Sequence, residues 1–371
     1  MVTTGHRGAL RRRGLGGLAA LALGAVLDLG LGLGSGCAGR RELGEPPACS
    51  AELVLARQKL AGARRAVVVT PVADLMERPE AESPLADQAL FGDSVEIVQT
   101  IQEPAGDCAL PGGRFLLIET AAHYRGYIQV LSLGPWPEPA PPYRSGALWR
   151  VVSRFTNVYP QPDLTRSNPL IVLPLGVAVR PVRQVSERWV EVALPDGRHG
   201  FAQRGDLQNE PQPPALNSAC IVEQALLHEG SPYLWGGRST YGIDCSGLVS
   251  NAYGACGVTV PRDAHQQFEW EAMRPVGPPV AETIRELQAG DLLFFVSADA
   301  PPVSAQSPAD QPAGKPPGKP KITHVGVYIG DGQFIHATTS ERPTVHKSEL
   351  REAGWLKRWA GTRRHQQLAS P

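Results

Sequence analysis

Short runs that alternate apolar and polar residues fill the middle of the chain, and they occur in two series. The first comprises Val72-Ala73-Asp74-Leu75-Met76-Glu77-Arg78-Pro79, then residues 90–98, 115–119 and 124–128. The second comprises Phe155-Thr156-Asn157-Val158-Tyr159-Pro160, then residues 173–179, 189–192 and 198–202. Gly and Pro punctuate both series. A period of two over four or five residues between such breakers predicts small antiparallel strands closed into barrels. The matching order predicts a duplicated domain at 66–134 and 147–210. Proline-rich segments at 134–142 and 211–214 follow the copies and predict stiff connections.

From residue 217 the pattern changes. Ile221, Val222, Ala225 and Leu226 recur at helical spacing behind Asn217 or Ser218 as a cap. Asp244 is a natural N-cap for a second helix starting at Cys245, with Leu248, Val249 and Ala252 as its apolar stripe. Residues 323–329 and 333–337 read as strands flanking Gly330-Asp331-Gly332, a hairpin. These elements predict an α+β domain over 217–371.

The first 36 residues are different again. Arg7 and Arg11-Arg12-Arg13 precede a Leu/Ala/Gly-rich stretch broken by charge at Asp28 alone, which predicts an export leader over 1–36. It ends in Leu33-Gly34-Ser35-Gly36-Cys37, small residues before a cysteine as at bacterial lipoprotein processing sites, although Gly34 stands where a large aliphatic residue is usual. Cys37 is therefore expected to carry lipid and hold the chain to a membrane in the cell envelope, with 37–65 as a linker. No later apolar run is long enough to span a bilayer.

Composition narrows the function. Lys plus Arg and Asp plus Glu both number 36, so there is no basic excess of the kind that neutralises phosphates, and no nucleic-acid partner is expected. Six cysteines without a CxxC pair predict no structural metal site. The spacing of Cys49, Cys108, Cys220 and Cys256 leaves open whether they are free or paired.

Cys245 has its own setting. In the first turn of a helix it faces unpaired backbone N–H groups and the positive end of the dipole, which favour thiolate. Two histidines lie downstream, His324 and His336. A two-residue Asp331-Gly332 loop would place His336 opposite Val327 and the two rings on opposite faces. A three-residue Gly330-Asp331-Gly332 loop would place His336 opposite Gly326 and both rings on one face. Joint action of the rings selects the second. Nucleophile, base and orienting ring then make the three-part arrangement of covalent acyl transfer.

Tyr233-Leu234-Trp235-Gly236-Gly237, Asp244-Cys245-Ser246-Gly247, Pro261-Arg262-Asp263-Ala264, Gly290-Asp291-Leu292-Leu293-Phe294-Phe295, His324-Val325-Gly326 and Ile335-His336-Ala337 together resemble the NlpC/p60 cysteine peptidases, in order and in spacing, over residues 217 to about 364. The repeated strand series resembles the bacterial SH3-like domain. With two such domains ahead of it, the chain looks like the γ-D-glutamyl-L-diamino acid endopeptidase branch, dipeptidyl-peptidase VI. The resemblance implies a papain-like α+β fold, a monomer without cofactor or metal, and hydrolysis of peptidoglycan stem peptides at the γ-D-glutamyl bond to diaminopimelate or lysine.

It further implies Cys245 as nucleophile, His324 as general base and His336 as the ring that orients it. Tyr233 would help the Cys245 N–H at the oxyanion. Asp244 would both cap the helix and meet the substrate amine, with Ser246 adding a hydroxyl. Glu77 and Tyr124 of the first SH3-like domain would close the pocket around a free N-terminal L-alanine. Trp235 is expected to pack, and His199, His228, His265, His346 and His365 to be surface or structural. Residues 297–321 form a Pro/Ala/Lys-rich insertion, expected to be a surface excursion. The competing readings are a hydrolase of intact wall and a catalytically silent wall-binding lipoprotein.

Overall fold

The computed structural model describes residues 50–98, 113–136, 148–210, 214–299, 319–340 and 342–368. The leader, Cys37, Cys49, Cys108, the 137–147 connection, residues 211–213 and insertion residues 300–318 lie outside them.

The duplication is reproduced strand for strand. The first sheet contains β1 (Arg65–Val68), β2 (Val72–Met76), β3 (Leu85–Leu90), β4 (Ser94–Ile97), β5 (Phe115–Glu119), β6 (Arg125–Gln129) and β7 (Leu133–Pro135). The second contains β8 (Leu148–Val151), β9 (Phe155–Tyr159), β10 (Ile171–Pro174), β11 (Ala178–Gln184), β12 (Trp189–Ala193), β13 (His199–Gln203) and β14 (Leu207–Glu210). Their orders are β3-β2-β6-β5-β4-β1-β7 and β10-β9-β13-β12-β11-β8-β14, which become identical when each label of the first is raised by seven. A single 3₁₀ turn precedes the last strand in each, at Val130–Ser132 and Arg204–Asp206.

Each unit buries its own alternating residues. Leu75, Val95, Ile118 and Ile128 lie at the centre of the first, and Val158, Leu173, Val190 and Val192 at the centre of the second. Phe91 leaves the first unit and is buried in the core of the second, so the two meet directly.

One expectation is corrected. The 37–65 stretch contains a helix, α1 (Ala51–Leu60), in the part that is described. Ser50 Oγ accepts from Leu53 N at 3.2 Å to cap it. Its Leu53 and Leu60 are buried in the first core, so this segment belongs to the β unit.

The C-terminal part is α+β. Helices α2 (Ser218–Leu226) and α3 (Cys245–Ala255) pack on a six-stranded antiparallel sheet. Between them lie the two-residue strands β15 (Arg238–Ser239) and β16 (Gly242–Ile243). After α4 (Ala264–Glu269), the sheet is built from β17 (Met273–Pro275), β18 (Leu292–Val296), β19 (Ile322–Gly330), β20 (Gln333–Thr338), β21 (Thr344–Glu349) and β22 (Trp359–His365), with α5 (Ala353–Arg358) before the last. Their order is β17-β22-β18-β19-β20-β21.

Asn217 Oδ1 accepts from Cys220 N at 2.9 Å, which makes Asn217 the cap of α2. Cys220 is bonded to Cys256, the residue that ends α3, with Cα atoms 6.1 Å apart. The insertion is flanked by paired strands, since Phe295 faces His324 and Val296 faces Ile322. It therefore interrupts a hairpin and leaves the sheet whole.

Candidate active site

Asp244 starts α3. Its Oδ1 accepts from Gly247 N at 2.6 Å and its Oδ2 from Gly236 N at 2.9 Å, so one carboxylate joins the 233–238 loop to the first turn of α3. The turn is so close to that loop that a Cβ on Gly247 would lie 2.3 Å from Gly237 O. Only glycine fits there. Cys245 is a buried free thiol at the first helical position.

The histidines reach one face by a different route from the one expected. The turn is the two-residue Asp331-Gly332, with φ of 52° and 81°, the left-handed pair that a type I′ turn requires. Gly330 pairs with Gln333, while Tyr328 pairs with Phe334, and a bulge between them takes up the extra residue. That bulge shifts the register by one. Val327 then faces Ile335, which sets Gly326 across from His336. A Cβ on Gly326 would stand 3.2 Å from His336 Cβ and 2.6 Å from Phe334 Cδ2, so the absent side chain makes room for the ring.

His324 Nε2 and His336 Nδ1 are 2.8 Å apart, with ring centroids at 5.0 Å. This contact leaves Nδ1 as the free nitrogen of His324. The Val325 N–H, one residue on, is a hydrogen-bond donor to Cys245 Sγ, so the thiol lies against the His324 strand. Trp355 closes the far side, with its ring 5.6 Å from His324 and 4.7 Å from His336.

The electrostatics differ from those expected at a helix start. Burial pushes the Cys245 thiol up to about 12 and Asp244 adds to the rise. The Val325 N–H, Arg262 and the Ser246 N–H pull the other way without cancelling it. Burial, followed by the charge of Arg358, pushes His324 down to about 3. His336 is driven well down by burial and by His324, His346 and Arg358. The resting pair is thus neutral thiol and neutral imidazole, because desolvation outweighs the helix dipole.

Tyr233 is half-buried near Cys245, and burial followed by the Cys245 charge holds its phenol neutral far above the usual range. A neutral phenol beside the nucleophile can donate a hydrogen bond to a developing oxyanion. Trp235 does not pack as expected. It is 67% exposed, whereas its neighbour Gly236 presses against Leu85 of β3, where a Cβ would come within 3.0 Å of Leu85 O.

Arg262 is buried between two carboxylates. Its Nε donates to Asp87 Oδ1 of β3. Its Nη1 and Nη2 donate to Asp244 Oδ1 at 3.0 Å and Oδ2 at 2.8 Å, and Nη1 also donates to Ser246 Oγ at 2.8 Å. Ser246 Oγ in turn donates to Asp244 Oδ1 at 3.2 Å. Five donors from the protein therefore already face Asp244, more than the roughly four lone-pair positions of a carboxylate. In this arrangement both Asp244 oxygens are engaged within the protein. Ser246 is likewise committed to the buried network.

Tyr124 of the first β unit lies within reach of the same charges. This side chain is half-buried, and burial pushes its phenol up to about 12, with Asp263, Asp87 and Glu77 adding to the rise and Arg262 opposing it. Tyr124 therefore senses the charges of Asp263, Asp87 and Glu77, while the Glu77 side chain itself is exposed. Burial also raises Asp263 above the usual carboxylate range. Asp263 carries no signal of its own in the sequence beyond its place in Pro261-Arg262-Asp263-Ala264. Asp87 carries none at all, since it lies 175 residues from Arg262.

The other histidines are surface or structural. His199 bonds Glu191 on the exterior and His265 is exposed. His228 is buried and held neutral, pushed down to about 4 by burial and then by Arg154. His365 packs between Tyr253 and Trp270, and His346 packs on His336 at 5.0 Å.

Comparison with known proteins agrees with this geometry. Residues 230–303 and 314–364 match the NlpC/P60 family model. The chain is 32% identical over 179 residues to a gamma-D-glutamyl-L-lysine dipeptidyl-peptidase of Bacillus cereus, covering 47% of this chain and 45% of that relative. It is 28% identical over 281 residues to dipeptidyl-peptidase 6 of Lysinibacillus sphaericus, covering 74% of this chain and 87% of the relative. The crystal structure of an NlpC/P60 family protein from Bacillus cereus superposes over 81% of this chain and 99% of its own, with a TM-score of 0.62 at 21% identity. That likeness extends the shared fold across the β units.

Proposed function

The chain carries an NlpC/P60 family domain, and from that premise we propose that it is a cysteine endopeptidase that cleaves the γ-D-glutamyl-L-diamino acid bond of peptidoglycan stem peptides with a free N-terminal L-alanine. The observation that carries this reading is the docking of the first β unit over the nucleophile's helix through Arg262 and Asp87. The charges of Asp263 and Glu77 both act on Tyr124, with Tyr124 and Asp263 half-buried and Glu77 exposed, and this supports a site near Tyr124 for a terminal ammonium.

The reaction follows from the neutral resting pair. His324 Nδ1 takes the Sγ proton as Sγ attacks the γ-carbonyl carbon, and the carbonyl electrons move to an oxyanion that faces the Cys245 N–H and the Tyr233 hydroxyl. The oxyanion collapses, the C–N bond breaks, and His324 gives its proton to the departing amine of the diamino acid. Water then attacks the thioester as His324 removes its proton, and the C–S bond breaks. The thiolate recovers the proton from His324.

Residues 66–134 and 147–210 are read as two bacterial SH3-like domains and 217–371 as the peptidase, a division supported by the shared strand order. We place the protein in the cell envelope, held by lipid on Cys37, acting as a monomer. The buried Cys220–Cys256 disulfide supports an oxidising compartment. Purified protein incubated with L-Ala-γ-D-Glu-meso-diaminopimelate, with its lysine counterpart and with intact sacculi tests the function by mass spectrometry of the products. Release of L-Ala-γ-D-Glu from a free peptide is expected. Turnover of sacculi alone would assign it to intact wall, and no turnover of any substrate would favour the silent wall-binding reading.

A further inference from the structure

His336 has a second partner. Its Nδ1 faces His324 Nε2 at 2.8 Å, and its Nε2 faces Ser348 Oγ at 3.0 Å. Ser348 lies on β21, two residues beyond His346, which pairs with His336 across the sheet. The side chains of His336, His346 and Ser348 therefore share a face. His336 is completely buried and Ser348 half-buried.

The direction of each bond follows from the work His324 must do. A ring that takes the Cys245 proton on Nδ1 starts with its own proton on Nε2. That Nε2–H donates to His336 Nδ1, which is an acceptor only when the His336 proton is on Nε2. The His336 Nε2–H then needs an acceptor, and Ser348 Oγ is placed to be it. We propose that Ser348 is a positioning residue that fixes the tautomer of His336 and, through it, leaves the Nδ1 of His324 free as the base. This inference rests on the reading of Cys245 and His324 as nucleophile and base.

Neighbouring groups leave Ser348 this task. His346 Nδ1 faces Thr344 O at 3.2 Å, and the guanidinium of Arg358 is stacked over Trp355 at 4.0 Å. Both groups disfavour a charged His336, so the ring holds one proton and its position matters. With the hydroxyl removed, the proton gains by moving to Nδ1, where it meets the His324 Nε2–H donor to donor. His324 must then shift its own proton to Nδ1 and lose the lone pair that serves Cys245.

The test compares full-length wild type, Ser348→Ala and Ser348→Thr. Ser348→Ala is expected to lose about 10²-fold in kcat with KM within about twofold, as befits a wrong tautomer rather than lost binding. Ser348→Thr keeps the hydroxyl and should restore at least a third of wild-type kcat. Histidine-selective ¹⁵N NMR provides a readout independent of turnover. His336, assigned with a His336→Gln control, should show the Nε2–H pattern in the wild type and in Ser348→Thr, and the Nδ1–H pattern in Ser348→Ala. An unchanged tautomer in Ser348→Ala, or kcat within twofold of wild type, overturns the proposal. Failure of the nucleophile reading would show separately, as turnover by Cys245→Ala.

Discussion

Arg262 joins the peptidase domain to the first β unit through a hydrogen-bonded ion pair with Asp87, and both side chains are at most 2% exposed. Because the same guanidinium holds Asp244 in a bidentate clasp, the cap of the nucleophile's helix is linked to the β unit by two charge-assisted contacts. Burying these charges is costly by itself. Losing one member would leave a buried charge uncompensated, so the β unit is tied to the helix that carries Cys245.

Asp87→Asn should therefore destabilise the whole chain. Removing one partner of a buried pair costs about 3–5 kcal/mol, since Arg262 would keep its charge with one carboxylate fewer. The denaturation midpoint should fall, and kcat/KM should fall with it. An unchanged midpoint would show that the pair contributes nothing to the docking.

Cys245→Ala should abolish hydrolysis and leave the fold intact, because Ala fits the first turn and removes little volume. His324→Ala should lose about 10²-fold or more, since base and proton donor are lost together. Circular dichroism with product analysis checks both.

The resting thiol should behave as a thiol. With Cys245 pushed up to about 12, its alkylation by iodoacetamide should rise steadily from pH 6 to pH 9. A preformed thiolate would instead react at a rate flat over that range. A plateau above pH 5 would contradict the neutral pair.

Acid should unfold the protein through its buried histidines. His228 at about 4 and His324 at about 3 are depressed in the folded state, as is His336. A depressed histidine binds its proton in the unfolded chain first, so its contribution is present above about pH 6.5 and lost as pH falls below it. The loss accumulates as pH falls from the unfolded value towards the depressed folded one. Stability measured from pH 7 to pH 5 should drop steeply, and His228→Gln should flatten the slope.

Much of this was legible in the sequence, for local reasons. Strands such as β5 and β12 carry alternation between breakers, and the Asp244 cap precedes an apolar stripe. The edge strands β1, β7, β8 and β14 have only three or four residues each, too few to show a period. Helix α1 was hidden because Leu53-Val54-Leu55-Ala56 is a continuous apolar run, and Leu55 remains 50% exposed. The hairpin register follows from the need to bring two rings together, but its cause, a bulge before a two-residue turn, has no signal in the residues. The Cys220–Cys256 bond and the Asp87–Arg262 pair join residues far apart in the chain. No local pattern reports such partners.

The charges around Tyr124 predict selectivity for a free amine. Asp87 and Asp244 hold Arg262, Arg238 lies 4.0 Å from Asp87, and Asp263 and Glu77 add their charges around Tyr124, so carboxylates outnumber guanidinium groups. Asp87 and Asp244 are committed to Arg262, which leaves Glu77 and Asp263 as acceptors for an ammonium. The raised Asp263 has an evident source of stabilisation there, because a cation entering the pocket favours its charged form. An acetylated N-terminus keeps the bulk and loses the charge. Turnover of L-Ala-γ-D-Glu-diaminopimelate should thus fall by about 10²-fold when its amine is acetylated, in line with the loss of a charge-assisted hydrogen bond. Glu77→Gln and Asp263→Asn should each narrow that ratio, mainly by raising KM for the free peptide. Equal rates on the free and acetylated peptides would mean that the cleft is open at this end and that the first β unit serves docking alone.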